Sequence, residues 1–420
     1  MCGGGKEDLT MPTNYRRGCG FPHRILKDFL PQNYPAIAII DATCPMVRYH
    51  KVPLDLPSSN GKVSTRSRSN EGGNVRRTAL IGLTALLAGC SPAPGAPVRG
   101  ARTDHDSRLG THGAMSCTVT AKLIPTCGAW WGIAPDIFTG RRVDEATLRA
   151  ERRMGRRVDI VHVYHRGGEL FPTPFERELA NGRRLLLINW KPSMTASWAE
   201  VASGAVDHRI DALAAYIRRT FPGRFFLTIH HEPENDVRLD GGYSAEDYVA
   251  MFRHVVSRLR SKGVTNAVTV MTYMGAPNWA TKPWFDKLYP GDDVVDWIGL
   301  DPYADARVHD FASLVNKTRP DHPQWPGFYR WIQSRFPGKP IMLSEWGAFE
   351  RPHMPQFKPR FFASVARQIG DYPQIKALVY FDSPAAPRGD TRFDATTAAD
   401  RAFSSLAGGP YFSGTQVPTR

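Results

Sequence analysis

The chain has 420 residues and a net charge of +14, with 12 Lys/Arg against 6 Asp/Glu before Cys90 and 42 against 34 after it. The basic excess is spread rather than blocked and no zinc-ligand spacing accompanies it, which argues against a nucleic-acid-binding protein and for a basic surface facing an anionic envelope. All ten Trp lie from Trp130 onward, so the folded part is expected to start near there.

Residues 1–74 carry Gly, Pro, Ser and Arg without sustained periodicity. They read as an extension that a start at Val75 leaves out of the natural protein. Residues 75–90 read as a secretory signal: Arg76-Arg77, an apolar run of about ten residues from Thr78 to Leu87, then small residues up to Cys90. The run is too short to span a bilayer as a mature helix. Leu87-Ala88-Gly89-Cys90 resembles the lipobox of bacterial lipoproteins, which implies lipidation of Cys90 and a membrane-anchored, extracytoplasmic protein. Residues 91–115, rich in Pro, Gly, Arg and Asp, read as a flexible tether. Residues 116–420 form the folded domain. At its entry, Cys117 and Cys127 are expected to pair as a disulfide in an exported chain; two buried thiols are the alternative.

Eight apolar segments read as buried strands, at 127–133, 158–164, 184–190, 225–231, 267–273, 294–300, 341–346 and 377–381. Helix-period stretches lie between them. Residues 207–220 set Ile210, Leu213, Ala214 and Ile217 on one face. Residues 245–262 do the same with Tyr248, Met251, Phe252, Val255, Val256 and Leu259. Buried strands alternating with helices imply a parallel sheet closed as a (β/α)8 TIM barrel. An open doubly wound sheet needs a Gly-rich phosphate loop after the first strand, and Gly128-Ala129-Trp130-Trp131-Gly132 is not one.

Two of these strands end in a carboxylate. Glu232 closes the fourth in His230-His231-Glu232-Pro233-Glu234, and Glu345 closes the seventh in Ser344-Glu345-Trp346-Gly347. The strand C-termini of a barrel share one mouth, which brings Glu232, Tyr303 and Glu345 together. Two carboxylates at one mouth suit retaining glycoside hydrolysis, with one as general acid/base and the other as nucleophile. Structural carboxylates paired with Arg are the alternative. Glu234 is a second candidate for the acid, since residues two apart on a strand share a face, although Pro233 distorts the strand end.

Four short motifs in this order carry a family resemblance. They are Gly128-Ala129-Trp130-Trp131-Gly132, His231-Glu232, Gly299-Leu300-Asp301-Pro302-Tyr303 and Ser344-Glu345-Trp346-Gly347. Over roughly residues 120–405 the chain resembles glycoside hydrolase family 26. The resemblance implies a retaining hydrolase of β-linked polysaccharide or oligosaccharide, β-mannan first, with relatives acting on β-1,3-xylan or mixed-linkage β-glucan. It makes Glu232 the acid/base and Glu345 the nucleophile. It makes His231 the histidine that contacts the sugar beside the scissile bond, and Tyr303 the donor to the nucleophile.

Trp131, Trp346 and, at the end of the eighth strand, Tyr380 or Phe381 are expected to stack on sugar. His165, like His162 at the end of the second strand, is expected to reach a sugar hydroxyl or to serve as a structural histidine. No metal-ligand cluster is visible, and neither a cofactor nor a nucleic-acid partner is expected; the enzyme reads as a monomer. Two readings from other classes stay open: a carbohydrate-binding surface lipoprotein without catalysis, and an envelope-glycan transglycosylase.

Overall fold

The structure is a computed structural model that describes residues 117–418 apart from 137, 138 and 387. The extension at 1–74, the signal at 75–90 with Cys90 and the tether at 91–115 lie outside the described residues. Eight parallel strands form a closed barrel: β1 (Trp130–Pro135), β2 (Ile160–Arg166), β3 (Leu185–Lys191), β4 (Phe225–Ile229), β5 (Ala267–Tyr273), β6 (Trp297–Leu300), β7 (Ile341–Ala348) and β8 (Ile375–Asp382). Closure runs through β1 and β8, from Trp130 opposite Ala377 to Pro135 opposite Asp382. A two-residue strand, Tyr303–Ala304, adds to β7 at Gly347 and Ala348. The expected (β/α)8 barrel is therefore observed, with all eight strands where the apolar segments placed them. The boundaries shift by a few residues; β4 stops at Ile229 rather than His231.

Helices α1 (Val143–Met154), α2 (Pro174–Ala180), α3 (Trp198–Ala202), α4 (Asp207–Thr220) and α5 (Ala245–Ser261) cover the first half of the barrel. The second half is covered by α6 (Phe311–Val315), α7 (Phe328–Arg335), α8 (Phe357–Gln368) and α9 (Thr397–Ala407). Several start on capping boxes, such as Thr173 with Glu176, Ser197 with Glu200 and Ser244 with Asp247. Each box satisfies backbone N–H groups that the first turn leaves unpaired. The faces expected on α4 and α5 are the faces they bury.

Alternation along the strands sorts the core into two layers. Trp130, Ile160, Leu187, Phe226, Val270, Trp297, Met342 and Val379 fill the barrel interior. Trp131, Ile133, Val161, Ile188, Leu343, Trp346 and Tyr380 pack outward against the helices. The floor of the barrel is plugged by the loop that precedes β1. Leu123 is buried in the interior cluster. Its carbonyl accepts from Trp130 Nε1 at 2.7 Å, and the Lys122 carbonyl accepts from Trp297 Nε1 at 2.7 Å. A Cys117–Cys127 disulfide, with Cα atoms 5.5 Å apart, closes this loop.

Gly299 on β6 is fixed by space. A Cβ there would sit 2.3 Å from both Ser344 Oγ and Thr272 Oγ1, which bond each other at 3.1 Å across the interior. Gly299→Ala is therefore expected to overpack the layer directly beneath Glu345 and cost about 1–3 kcal/mol. Urea unfolding of this variant checks it; wild-type stability would contradict the packing described.

Candidate active site

The mouth at the C-terminal ends of the strands gathers acids and aromatic hydroxyls. Glu345 lies at its centre. Tyr164 donates to Glu345 Oε1 at 2.6 Å and Tyr303 donates to Oε2 at 2.6 Å. Short O–H···O⁻ bonds of this kind stabilise carboxylate charge by about 1.5–3 kcal/mol each. The Glu345 backbone N–H donates to Asp301 Oδ1 at 2.8 Å.

Strict alternation along β7 would turn Glu345 away from this position. Between Leu343, opposite Leu378, and Trp346, opposite Tyr380, β7 carries one more residue than β8. That bulge leaves both Ser344 and Glu345 inside and sends Trp346 outward. Re-aiming a side chain is a recurring use of a bulge beside a functional site.

Glu232 reaches the mouth by a different break. The strand ends at Ile229, and His230 and Glu232 then adopt left-handed backbone with φ of 52° and 50°. His230 turns outward, where Trp198 Nε1 donates to its Nδ1 at 3.2 Å. Its Nε2 therefore carries the proton and donates to Asp236 Oδ2 at 2.7 Å. Lys191 Nζ also donates to Asp236, at 2.9 Å. Despite burial, these partners hold the Asp236 carboxyl well below its usual range. With His230 outside, His231 faces in. Its Nδ1 bonds the Asn189 amide nitrogen. An amide nitrogen only donates, so the His231 proton sits on Nε2, 3.7 Å from Glu345 Oε1. Burial lowers the proton affinity of His231, as it does that of His162.

Glu232 itself is half-buried, and Asn235 Nδ2 donates to its Oε2 at 3.0 Å. Burial pushes its carboxyl well above the usual range, and the charges of Glu345 and Glu234 push it further; Arg388 and Asn235 oppose this. Asp301 is raised in the same way, by burial and then by Glu345 and Glu232. The result is one carboxyl supplied with two hydroxyl donors facing another whose proton affinity is raised. His231, Asp301 and Glu345 offer ligand atoms within 4.8 Å of one another, the one such grouping among the described residues. Both Glu345 oxygens in this grouping already accept from phenols, and Asp301 Oδ1 accepts the Glu345 backbone N–H.

Of the residues singled out in the sequence, Glu232, Glu345, His231 and Tyr303 converge here. Four others do not. Trp131, Trp346 and Tyr380 are each 0 % exposed and pack between barrel and helices around Phe403. They face outward on their strands, so none presents a ring to a sugar. His165 also faces outward: its ring nitrogens meet Glu169 at 3.1 Å and Glu176 at 3.0 Å, and it stacks on Phe171. Glu234 shares no strand face with Glu232, because both lie in the turn beyond β4.

Tyr164, Asn189 and Asp301 are site residues that the sequence reading missed. For Tyr164 the signal was available, since it lies on the inward file of Ile160 and His162, and His162 Nδ1 meets its hydroxyl at 3.2 Å. The aromatic wall of the mouth is Tyr303 stacked on Phe349, with Phe381 edge-on to Tyr303.

Comparisons with known proteins find similarity over part of the chain. The model of glycosyl hydrolase family 26 matches residues 229–320, a stretch that holds Glu232, Asp301 and Tyr303. Endoglucanase H of Acetivibrio thermocellus is 25 % identical over 236 residues, 53 % of this chain and 24 % of that protein. The β-1,3-xylanase TXYA of a Vibrio species is 28 % identical over 162 residues, 35 % of this chain and 34 % of that protein. The chain thus spans about a quarter to a third of the length of these relatives. Among solved structures, a ruminal family 26 endo-β-1,4-mannanase superposes with a TM-score of 0.48 at 14 % identity, covering 70 % of this chain and 66 % of its own. A family 26 β-mannanase of Bacteroides ovatus gives 0.48 at 18 % identity, with 70 % and 91 % covered.

The rim of the mouth also makes a pH prediction. Asp382 ends β8, accepts from Phe393 N at 3.1 Å, and is pushed up to about 7 by burial. A raised carboxyl contributes stability below its unfolded value of 3.8, and the contribution is lost as pH rises through about 7. The stability difference between wild type and Asp382→Asn, from urea unfolding, should therefore fall between pH 4 and 7, by up to about 3–4 kcal/mol. A difference that is flat with pH would contradict it.

Proposed function

We propose that the chain is a family 26 glycoside hydrolase that cleaves β-linked glycan with retention of configuration. The observation that carries this reading is the placement at one mouth of Glu345, held by the Tyr164 and Tyr303 hydroxyls, and of the Glu232 carboxyl, whose proton affinity burial and the neighbouring charges raise. In the first step Glu345 attacks the anomeric carbon, while Glu232 gives its proton to the departing oxygen. In the second, the Glu232 carboxylate takes a proton from water, which attacks the glycosyl-enzyme and releases Glu345. His231, with a proton on Nε2 beside Glu345, can donate to a sugar hydroxyl next to the scissile bond. Tyr303, Phe349 and Phe381 supply the apolar surface on which a sugar face can rest. A mannan-like β-glycan is the substrate we propose first, with mixed-linkage β-glucan and β-1,3-xylan as the competing members of a panel.

Turnover on that panel tests the reading. Glu345→Ala and Glu232→Ala should each lose at least about 10²-fold in kcat. Azide should rescue the first with inverted product and the second with retained product. Wild-type turnover in either variant would remove the assignment.

The proposal extends to place. We propose that the protein is exported, lipidated at Cys90 and held at the outer face of the cytoplasmic membrane. The Leu87-Ala88-Gly89-Cys90 run and the disulfide at the entry to the barrel support this. Cells fed labelled palmitate should label the chain, and Cys90→Ala should abolish the label and shift the protein out of the membrane fraction. Undiminished label in that variant would contradict it.

A further inference from the structure

We infer that Glu234 is a positioning residue for Glu232: its buried side chain closes the turn between β4 and β5 by accepting the Met274 N–H, and so sets a second carboxyl in the turn that holds the acid/base. This rests on the assignment of Glu232 as acid/base.

The ladder between β4 and β5 ends with Thr228 opposite Val270. Beyond it the turn is still tied to β5 twice. The Glu232 backbone N–H donates to the Thr272 carbonyl at 3.1 Å. The next inward donor on β5's side, Met274 N–H, has no β4 carbonyl to meet, because the chain has turned away. Glu234 Oε1 accepts it at 2.9 Å. A side chain thus replaces the missing strand carbonyl, and Glu232, which makes the first tie, is in left-handed backbone. Such conformations cost about 1–3 kcal/mol and persist only where surrounding contacts enforce them.

Acceptance from Met274 does not by itself require a carboxylate; an amide oxygen would serve. What the carboxylate adds is charge. Glu234 is 1 % exposed, and its Oε2 has no hydrogen-bond partner among the described residues. The titratable groups of neighbouring elements that feel its charge include Tyr248 of α5 and Tyr273 of β5. Both phenols are held neutral by burial, and the Glu234 charge raises them further. Its charge also reaches Glu232 in the same turn and Asp301 beyond β6. Burial pushes Glu234 itself up to about 7, opposed only by backbone N–H donors. Above that pH it ionises, and a second negative charge beside Glu232 makes Glu232 hold its proton longer. The device extends the acid's working range toward alkaline pH.

Two variants of the full chain separate the roles. Glu234→Gln keeps the acceptor for Met274 N–H and removes the charge; Glu234→Ala removes both. The probes are mannohexaose, mixed-linkage β-glucan and β-1,3-xylan, with pH profiles taken on the one cleaved fastest. Glu234→Gln should keep kcat at its optimum within about threefold, while the alkaline limb of kcat/KM moves down by roughly half a unit or more. Glu234→Ala should lose about tenfold or more in kcat with KM little changed. An alkaline limb in Glu234→Gln that superimposes on wild type overturns the inference, and so does full kcat in Glu234→Ala. If circular dichroism shows that Glu234→Ala does not fold, the Gln profile decides alone. Glu232→Ala and Glu345→Ala run alongside. Activity surviving in them removes the acid/base assignment, whereas wild-type behaviour confined to the Glu234 variants removes only this role.

Discussion

Closing eight parallel strands into a barrel leaves each strand one inward file of side chains and one outward file, two residues apart. The inward files fill the barrel up to its rim, and the outward files bind the helices. A chemical group at the mouth must therefore fall on the inward file or break the alternation. Both glutamates break it. Glu345 does so through an extra residue in β7, which keeps Ser344 inside beneath it. His231 and Glu232 do so through the left-handed turn at His230, which places two successive residues, Ile229 and His230, outside. Each break also frees an aromatic or imidazole ring, Trp346 or His230, to anchor its strand in the outer layer.

Crowding carboxyls into that mouth sets their charge states. Glu232, Asp301 and Glu234 are all raised by burial, and the charges of their neighbours raise Glu232 and Asp301 further. Glu345 alone receives two phenol donors. Negative charge in the cluster is best supported there, and charge on Glu345 holds the proton on Glu232. The tyrosines thus act on both carboxyls, on one directly and on the other through it.

This logic also defines what could be read in the sequence. The strands and the faces of α4 and α5 were legible because periodicity alone determines them. The glutamates were legible because they end apolar runs. Tyr380 and His165 were misplaced because being near a strand end was taken as reaching the mouth, and Trp131, the second residue of β1, because alternation was left uncounted. Counting from Trp130 and Ile160 would have put Tyr164 inside and His165 outside. Trp346 could not have been placed that way, since a bulge leaves no mark in a single sequence. Asp301 and Asn189 act through backbone and side-chain partners 42 or 44 residues away, a relation fixed by barrel closure rather than by local pattern.

The turn beyond β4 shows why the acid/base lies just past a strand rather than within it. A residue inside the ladder has its backbone fixed by pairing on both sides, and its direction follows from parity. Past the ladder, the backbone can enter left-handed conformations, but something must replace the lost pairing. Here side chains do so: Asp236 holds His230 with help from Lys191, Asn235 bonds the Glu232 carboxyl, and Glu234 takes the Met274 N–H. Three polar residues within four positions of Glu232 thus bind its turn or its carboxyl, in place of the ladder. That accounts for the dense acidic and amide run from Glu232 to Asp236, which local propensity alone would read as an ordinary loop.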